Sequence, residues 1–359
     1  MAVLRQHAEE EFKEELEELR KQDKGNKPAN WQLSPRAVVD YLMGTKLSNG
    51  KVITPKYIGQ RRLMEIAVAT LTTDRALLLY GIPGTGKSWV SEHLTAAITG
   101  NSKLLIQGTS GTGEEAIRYG WNYAKLLVDG PTQDALVVTP LMNAMQNGKI
   151  ARIEELTRIS ADVQDNLITI LSEKLLPIPE LNTEVQAIEG FNVIATANNR
   201  DKGVNELSSA LKRRFNTVIL PTPDSAEEEI NIVKTRVEKM MENTQLPAEK
   251  PPLKEIQRIV TIFRELRSGV TTDGRTKIKS PTGTLSSAEA IGVVNSGLAL
   301  AAHFGDGRLS SMDIASGLIG AIVKDPIHDK EVWDDYLESI IKPRSEWKDL
   351  YRSCKEVSL

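Results

Sequence analysis

The chain holds a single cysteine, Cys354, among 359 residues, so no internal disulfide can staple it and a reducing compartment suits it. Aromatic residues are only 5%, too few for a broad platform on which nucleic-acid bases could stack. There is no surplus of positive charge, since 45 Lys and Arg face 48 Asp and Glu for a formal charge of −3. That balance argues against a chain whose main task is to hold nucleic acid, although a local basic groove stays compatible with it. No apolar run approaches the ~18 residues that a membrane span requires. The opening stretch, residues 1–11, lacks an apolar signal-peptide core and turns acidic at once, which points toward the cytoplasm. Repeats and low-complexity tracts are missing too. What is present, 40% hydrophobic and 26% charged residues, is an ordinary globular composition in a chain long enough for two or three domains.

Residues 1–22 read as a helix, with Leu4, Ala8, Phe12, Leu16 and Leu19 at helical spacing and Glu9–Lys13 and Glu17–Lys21 placed for i,i+4 pairing. Such a helix either docks on its own domain or meets another chain. A polar breaker follows over 23–30, and Ser34-Pro35 then starts a short helix that runs through Met43, with serine as cap and proline in the first turn. From Ile58 to about Pro221, short apolar runs alternate with helical patterns, the signature of a parallel sheet covered by helices. Five strands are expected at 76–80, 103–107, 150–153, 191–196 and 217–220. Helices are expected at 88–98 and at 140–146, the second capped by Thr139 and stopped by Gly148. After Pro221 the pattern turns helical throughout. A capping-box pair, Ser225 and Glu228, heads a helix carrying Ile230, Val233, Val237 and Met240, and periodicity resumes at 253–266, 287–303 and 312–323. Residues 269–283 read as an exposed loop, and a charged segment with Trp333, Tyr336 and Trp347 ends the sequence. The expected division is 1–50 as helical segment and linker, 51–222 as the α/β domain, 223–330 as a small helical domain and 331–359 as a helical extension.

Gly81-Ile-Pro83-Gly84-Thr85-Gly86-Lys87-Ser88 matches the complete GxxxxGK[ST] pattern between an apolar strand and a helix. Glycines let backbone N–H groups curl around phosphates, and the following helix N-terminus adds a favourable dipole. Lys87 would carry charge to the β- and γ-phosphates, and the Ser88 hydroxyl would ligate Mg²⁺. ATP and Mg²⁺ are therefore the expected cofactors, with Trp89 beside the loop. A second glycine-rich stretch, 108–113, has Glu114 where lysine would be required, so it reads as a mobile loop rather than a phosphate site.

Hydrolysis also needs acids. Glu154 and Glu155 end an expected strand on the edge where such folds place ligands, one to hold Mg²⁺ and the other to orient and deprotonate water. Asn198, with Asn199 after it, ends the apolar run from Phe191 and could bond the γ-phosphate and the lytic water. Lys212-Arg213-Arg214-Phe215 offers an arginine to a neighbouring nucleotide, unless it is a solvated basic turn. Tyr119, Trp121 and Tyr123 follow the glycine loop and could contact substrate at a ring pore or serve as packing anchors.

Together these residues resemble the AAA+ superfamily, within it the MoxR-like branch, and among subgroups the YehL-like ATPases. The resemblance spans roughly residues 57–323 and includes Ile58-Gly59-Gln60, the phosphate loop, Glu154-Glu155 with Arg158, Ala195-Thr-Ala-Asn198, and Leu207-Ser-Ser-Ala-Leu-Lys-Arg-Arg-Phe215. Residues 285–303, then Arg308 and Ser311-Met-Asp313, resemble its small lid domain. The resemblance implies Ile58 near the adenine, Glu154 and Glu155 as the Walker B pair, Asn198 as sensor 1, and Arg214 as an arginine finger acting in trans, with Arg213 as substitute. It further implies a hexameric ring of this chain that remodels or assembles a partner, a von Willebrand A-domain protein. Three departures stand out. Glu154 replaces the usual aspartate, Arg152 interrupts an otherwise apolar strand, and Leu285-Ser-Ser-Ala-Glu-Ala290 lacks the sensor 2 arginine, for which Lys277 or Lys279 could substitute. A metal-chelatase motor, an ATP-binding scaffold with weak hydrolysis and a nucleic-acid motor are the alternatives.

Overall fold

The computed structural model describes residues 5–198 and 205–357, so Leu4 and Asn199 lie outside the described residues. The described residues form two compact units, one of residues up to Ile82 with Gly86–Leu220, the other of Pro83–Thr85 with the residues from Pro221 onward.

The first unit is built on a five-stranded parallel sheet: β1 (Ala76–Gly81), β2 (Leu105–Gln107), β3 (Ile150–Glu154), β4 (Asn192–Asn198) and β5 (Phe215–Ile219), in the order β5-β1-β4-β3-β2. The five expected strands are present, with no end shifted by more than two residues. In β1 the run Leu77, Leu78, Leu79 is buried throughout, because helices cover both faces of a central parallel strand and neither face needs polar residues. Leu77, Leu79 and Ile194 pack in one core with Val90 and Leu94 of the helix Lys87–Thr99, whereas Leu78, Ile153 and Ala195 pack in the other with Leu141 and Met145 of Pro140–Asn147. Caps fall where the sequence puts them. Ser34 accepts from the Ala37 N–H at 3.3 Å, Thr139 accepts from Met142 N–H at 3.1 Å, and Gly148 ends its helix at φ 57°.

The N-terminal segment docks on this unit through Ala8, Phe12, Leu16 and Leu19, all buried. It is two helices, Ala8–Glu11 and Lys13–Gln22, broken at Phe12. The break corrects the expected charge pairs. Glu9 turns to accept from the Ser102 N–H (3.1 Å) and hydroxyl (2.7 Å), while Lys13 faces Glu17 (3.9 Å) and Lys21 faces Glu18 (2.9 Å). Three antiparallel ribbons were not legible as strands, Thr45–Lys46 with Val52–Ile53, Tyr119–Trp121 with Leu136–Val138 and Leu175–Ile178 with Thr183–Gln186. Their strands are two to four residues long and carry too little alternation to register.

The second unit is helical among its described residues. Its longer helices are Ala226–Thr244, Leu253–Ser268, Ser287–Phe304, Ser311–Ile322, His328–Tyr336 and Lys348–Glu356. Trp333, Tyr336 and Trp347 share one core with Ile259, Val294 and Leu318. Ser286 with Glu289, and Ser310 with Asp313, form reciprocal capping boxes. The expected box at Ser225 is only half made. Ser225 accepts from Glu228 N–H, but the Glu228 carboxylate takes the N–H of Asp224 instead. Met240, expected on the apolar face, is 45% exposed. Lys277 and Lys279 are exposed on the loop 269–283.

Three buried charges brace this unit. Glu229, fully buried, accepts from Arg264 (3.1 Å), Arg267 (2.8 Å) and Ser287 (2.9 Å). Arg258, 2% exposed, donates to Asp349 (2.7 Å) and Glu255 (3.1 Å). Glu265 accepts from Tyr336 (2.6 Å) and Arg344 (2.7 Å).

Candidate active site

β1 runs into a turn formed by Pro83, Gly84 and Thr85, and the helix Lys87–Thr99 begins immediately after Gly86. Gly84 and Gly86 both stand at φ 80°, a left-handed conformation that side chains disfavour and glycine adopts freely. The loop therefore needs glycine at both positions to turn its N–H groups inward. Lys87 is buried and its ammonium donates to the carbonyls of Gly81 (3.1 Å) and Ile82 (2.8 Å), which hold it over the loop.

Glu154, at the end of β3, is 4% exposed. One carboxylate oxygen, Oε2, accepts from the Ser88 hydroxyl (2.6 Å) and the Thr196 hydroxyl (2.7 Å), and Oε1 accepts from Arg152 (2.9 Å) and Ser91. Burial pushes its acidity toward the neutral form. The Arg152 guanidinium and the three hydroxyls outweigh burial and hold the carboxyl below the usual range, so it is ionised. Ser88 and Glu154 thus bring two hard oxygen donors into contact, a pairing that fits a divalent cation such as Mg²⁺. Among the described residues no group of three or more His, Cys, Asp or Glu gathers as a metal cage. A cation here would take its remaining ligands from phosphate and water, as Mg²⁺ commonly does.

The β4–β1 register sets Asn198 opposite Gly81, and the β4–β3 register sets Ala195 opposite Ile153. Asn198 therefore ends its strand level with the start of the phosphate loop, beside the two acids. Its amide donates to both oxygens of Glu155, at 2.9 and 2.8 Å. Glu155 has a left-handed backbone, φ 55°, and its N–H donates to Thr196 Oγ1 at 3.1 Å. That turn aims its side chain away from the one taken by Glu154. Arg158 stands 3.5 Å from the Glu155 carboxylate.

The structure brings Lys87, Ser88, Glu154, Glu155 and Asn198 together around the loop. Trp89 is half-buried and its indole donates to the Lys56 carbonyl at 2.8 Å, which ties the segment before half-buried Ile58 to the first turn after the loop. Arg214 lies apart from this group, with Nε donating to Ser172 (2.7 Å) and Nη1 to the Ala210 carbonyl (2.6 Å), while Arg213 is exposed. The stretch 108–113 is a compact turn. Thr109 N–H donates to the Thr112 hydroxyl at 2.9 Å, and Gly108 N–H donates to the Glu154 carbonyl at 2.7 Å.

Of the two roles open to the aromatic stretch after that turn, packing is the one that two of its three members take. Tyr119 is buried, donates to Glu180 at 2.7 Å, and burial first, then that bond, push its hydroxyl up to about 12. Trp121 packs edge-on against it at 5.9 Å. Both are packing anchors of a short ribbon, not free contacts. Only Tyr123 is exposed, at 75%.

Two hydroxyl partners of Glu154 carried a signal that sequence reading passed over. Ser91 sits three residues after Ser88 and so shares its helix face, and Thr196 sits two before Asn198 and so shares its strand face.

Residues 76–215 match the AAA domain of the dynein-related subfamily, and residues 227–357 match the YehL-like AAA+ ATPase C-terminal domain. Over 349 residues the chain is 37% identical to the Uncharacterized protein YehL of Escherichia coli K12, covering 95% of this chain and 94% of that one. The chain belongs to the YehL-like AAA+ ATPases. An uncharacterized protein of Staphylococcus haemolyticus is 28% identical over 150 residues, 42% of this YehL-like chain and 56% of the relative. Among solved structures, NtrX from Brucella abortus in complex with ADP superposes with a TM-score of 0.51 at 13% identity, over 82% of this chain and 61% of that one. The NtrX complex with ATP gives 0.50 at 12% identity, over 83% and 62%. At that identity the likeness carries the fold alone. None of the described helices of the YehL-like chain is long and apolar enough to cross a membrane.

Proposed function

We propose that this YehL-like protein hydrolyses ATP and uses the turnover to remodel or assemble a partner protein. The observation that carries the reading is the Glu155–Asn198 pair, bonded at 2.8–2.9 Å and level with Gly81 at the mouth of the phosphate loop. In this reading the loop N–H groups and Lys87 bind the phosphates, and Ser88 and Glu154 would hold Mg²⁺, which when bound would supply neutralisation of phosphate charge. Asn198 orients Glu155 and the attacking water, and Glu155 takes the proton from that water. Trp89 and Ile58 flank the base. Arg214, or the more exposed Arg213, reaches the site of a neighbouring copy in a hexameric ring and stabilises transition-state charge. The partner is a von Willebrand A-domain protein, met in the cytoplasm.

The test is Glu155→Gln. Loss of the base should lower steady-state ATP turnover by about 10²–10⁴-fold, with nucleotide affinity unchanged; retained turnover would remove Glu155 from this role. A second reading, an ATP-binding scaffold with weak hydrolysis, is favoured by the same pair, since both Glu155 oxygens are engaged by Asn198 before any water arrives. Tight nucleotide binding with turnover near background in the unmodified protein would select it.

A further inference from the structure

β3 carries a cation where a strand of a parallel sheet ordinarily carries an apolar side chain. Arg152 is 5% exposed. Nε donates to Ser91 Oγ (3.0 Å), Nη1 to the Ser102 carbonyl (3.1 Å), and Nη2 to the Ser88 carbonyl (3.1 Å) and Glu154 Oε1 (2.9 Å). All of these contacts converge on the residues around Ser88 and Glu154. A buried ion pair contributes little to stability compared with apolar packing of the same volume, so stability gives no reason for an arginine at this point. Its position in the site does.

The two oxygens of Glu154 are divided. Oε1 is taken by Arg152 and Ser91, and Oε2 faces the Ser88 and Thr196 hydroxyls. A divalent cation seated between the Ser88 hydroxyl oxygen and Glu154, with the hydroxyl turned to offer a lone pair, would meet Oε2 alone. It would also meet the guanidinium charge on the far side of the same carboxylate, in surroundings that screen poorly. Ser88, Arg152 and Glu154 line one cavity of about 220 Å³, so a small ion has room beside the pair and the obstacle is charge rather than space; of the cations that line it, Arg5 pairs with Glu92 and Lys103 with Glu10, and Arg152 is the one bonded to Glu154. Nucleotide phosphates bring the negative charge that offsets Arg152.

We propose that Arg152 is a positioning residue that neutralises Glu154 in the nucleotide-free protein, so that Ser88 and Glu154 accept a divalent cation only together with nucleotide phosphate. This rests on the reading of Ser88 and Glu154 as the cation-holding pair. Mn²⁺ titration of the full chain, followed by electron paramagnetic resonance, tests it, with and without one equivalent of a non-hydrolysable ATP analogue bound. The unmodified protein should bind Mn²⁺ at least about 100-fold more weakly without nucleotide than with it. Arg152→Met should tighten nucleotide-free Mn²⁺ binding at least about tenfold, and Arg152→Lys should restore the original value, a rescue that lost packing alone does not give. Equal Mn²⁺ affinity with and without nucleotide in the unmodified protein overturns the proposal, and that comparison stands even where Arg152→Met does not fold. So does a folded Arg152→Met that binds Mn²⁺ no tighter. Glu154→Gln separates the two levels. If it leaves Mn²⁺ binding in the nucleotide complex unaltered, the cation-holding pair itself is misassigned; if it abolishes that binding while Arg152→Met changes nothing, only the role of Arg152 falls.

Discussion

Glu154 shows how much one side chain's surroundings decide. It is buried, which disfavours its charge, yet four donors around it keep it ionised below its ordinary value of 4.5. A carboxyl whose folded value is lowered contributes stability that is present above the unfolded value and is lost as pH falls through the folded one. Glu154→Gln removes that contribution and leaves Arg152 facing a neutral amide. At pH about 7 the variant should be less stable by on the order of 3 kcal/mol, the cost of breaking a buried pair from one side. The gap should begin to narrow as the pH drops below about 4.5, and it should close as the pH falls through the lowered folded value, where the unmodified protein loses its own ion pair. Urea unfolding of both proteins between neutral and acid pH measures it, and a gap independent of pH would mean that Glu154 is not ionised in the fold.

At the level of elements, what could be read ahead was whatever a local rule dictates. The Ser34 and Thr139 caps, the Gly148 stop and the uninterrupted apolar run of β1 each follow from a side chain and its immediate neighbours. Pairings that need tertiary partners did not follow. Glu9 bonds Ser102, 93 residues away, in place of Lys13, and Glu228 reaches Asp224 because the chain entering its helix brings that N–H closer than the one at Ser225. The helix Leu253–Ser268 is a further case, since nothing in its periodicity announces that Arg258 lies inward. It does so because Glu255 on the same helix and Asp349, 91 residues on, both receive it. Arg258→Met keeps much of the volume but strands Glu255, whose side chain is 9% exposed. The variant should therefore lose about 3–5 kcal/mol of stability, read as a lowered melting temperature with helical circular dichroism retained at low temperature. A loss below about 1 kcal/mol would show that Met packing replaces the network.

At the level of the whole chain, the phosphate loop was legible because its chemistry demands contiguous residues, whereas the groups meant to act on the phosphate come from three strands and meet only through register. Gly81 and Asn198 are 117 positions apart in sequence and neighbours across β1 and β4; the eye finds each, and only the sheet joins them. That junction has a thermodynamic consequence. A ligand that binds the folded first unit and not the unfolded chain stabilises it by about 2.7 kcal/mol at 100 times its dissociation constant. For a unit of this size such a gain raises a melting temperature by roughly 5–11 °C. Calorimetry with ATP should show that rise for the unmodified protein. It should nearly vanish for Lys87→Ala, because Lys87 is held at the loop by the Gly81 and Ile82 carbonyls and is the proposed phosphate-binding cation. Glu155→Gln, which alters the proposed base and none of the loop residues, should keep the full shift. A protein in which both substitutions erased the shift equally would bind nucleotide through the acids as much as through the loop, with no division of labour between binding and turnover.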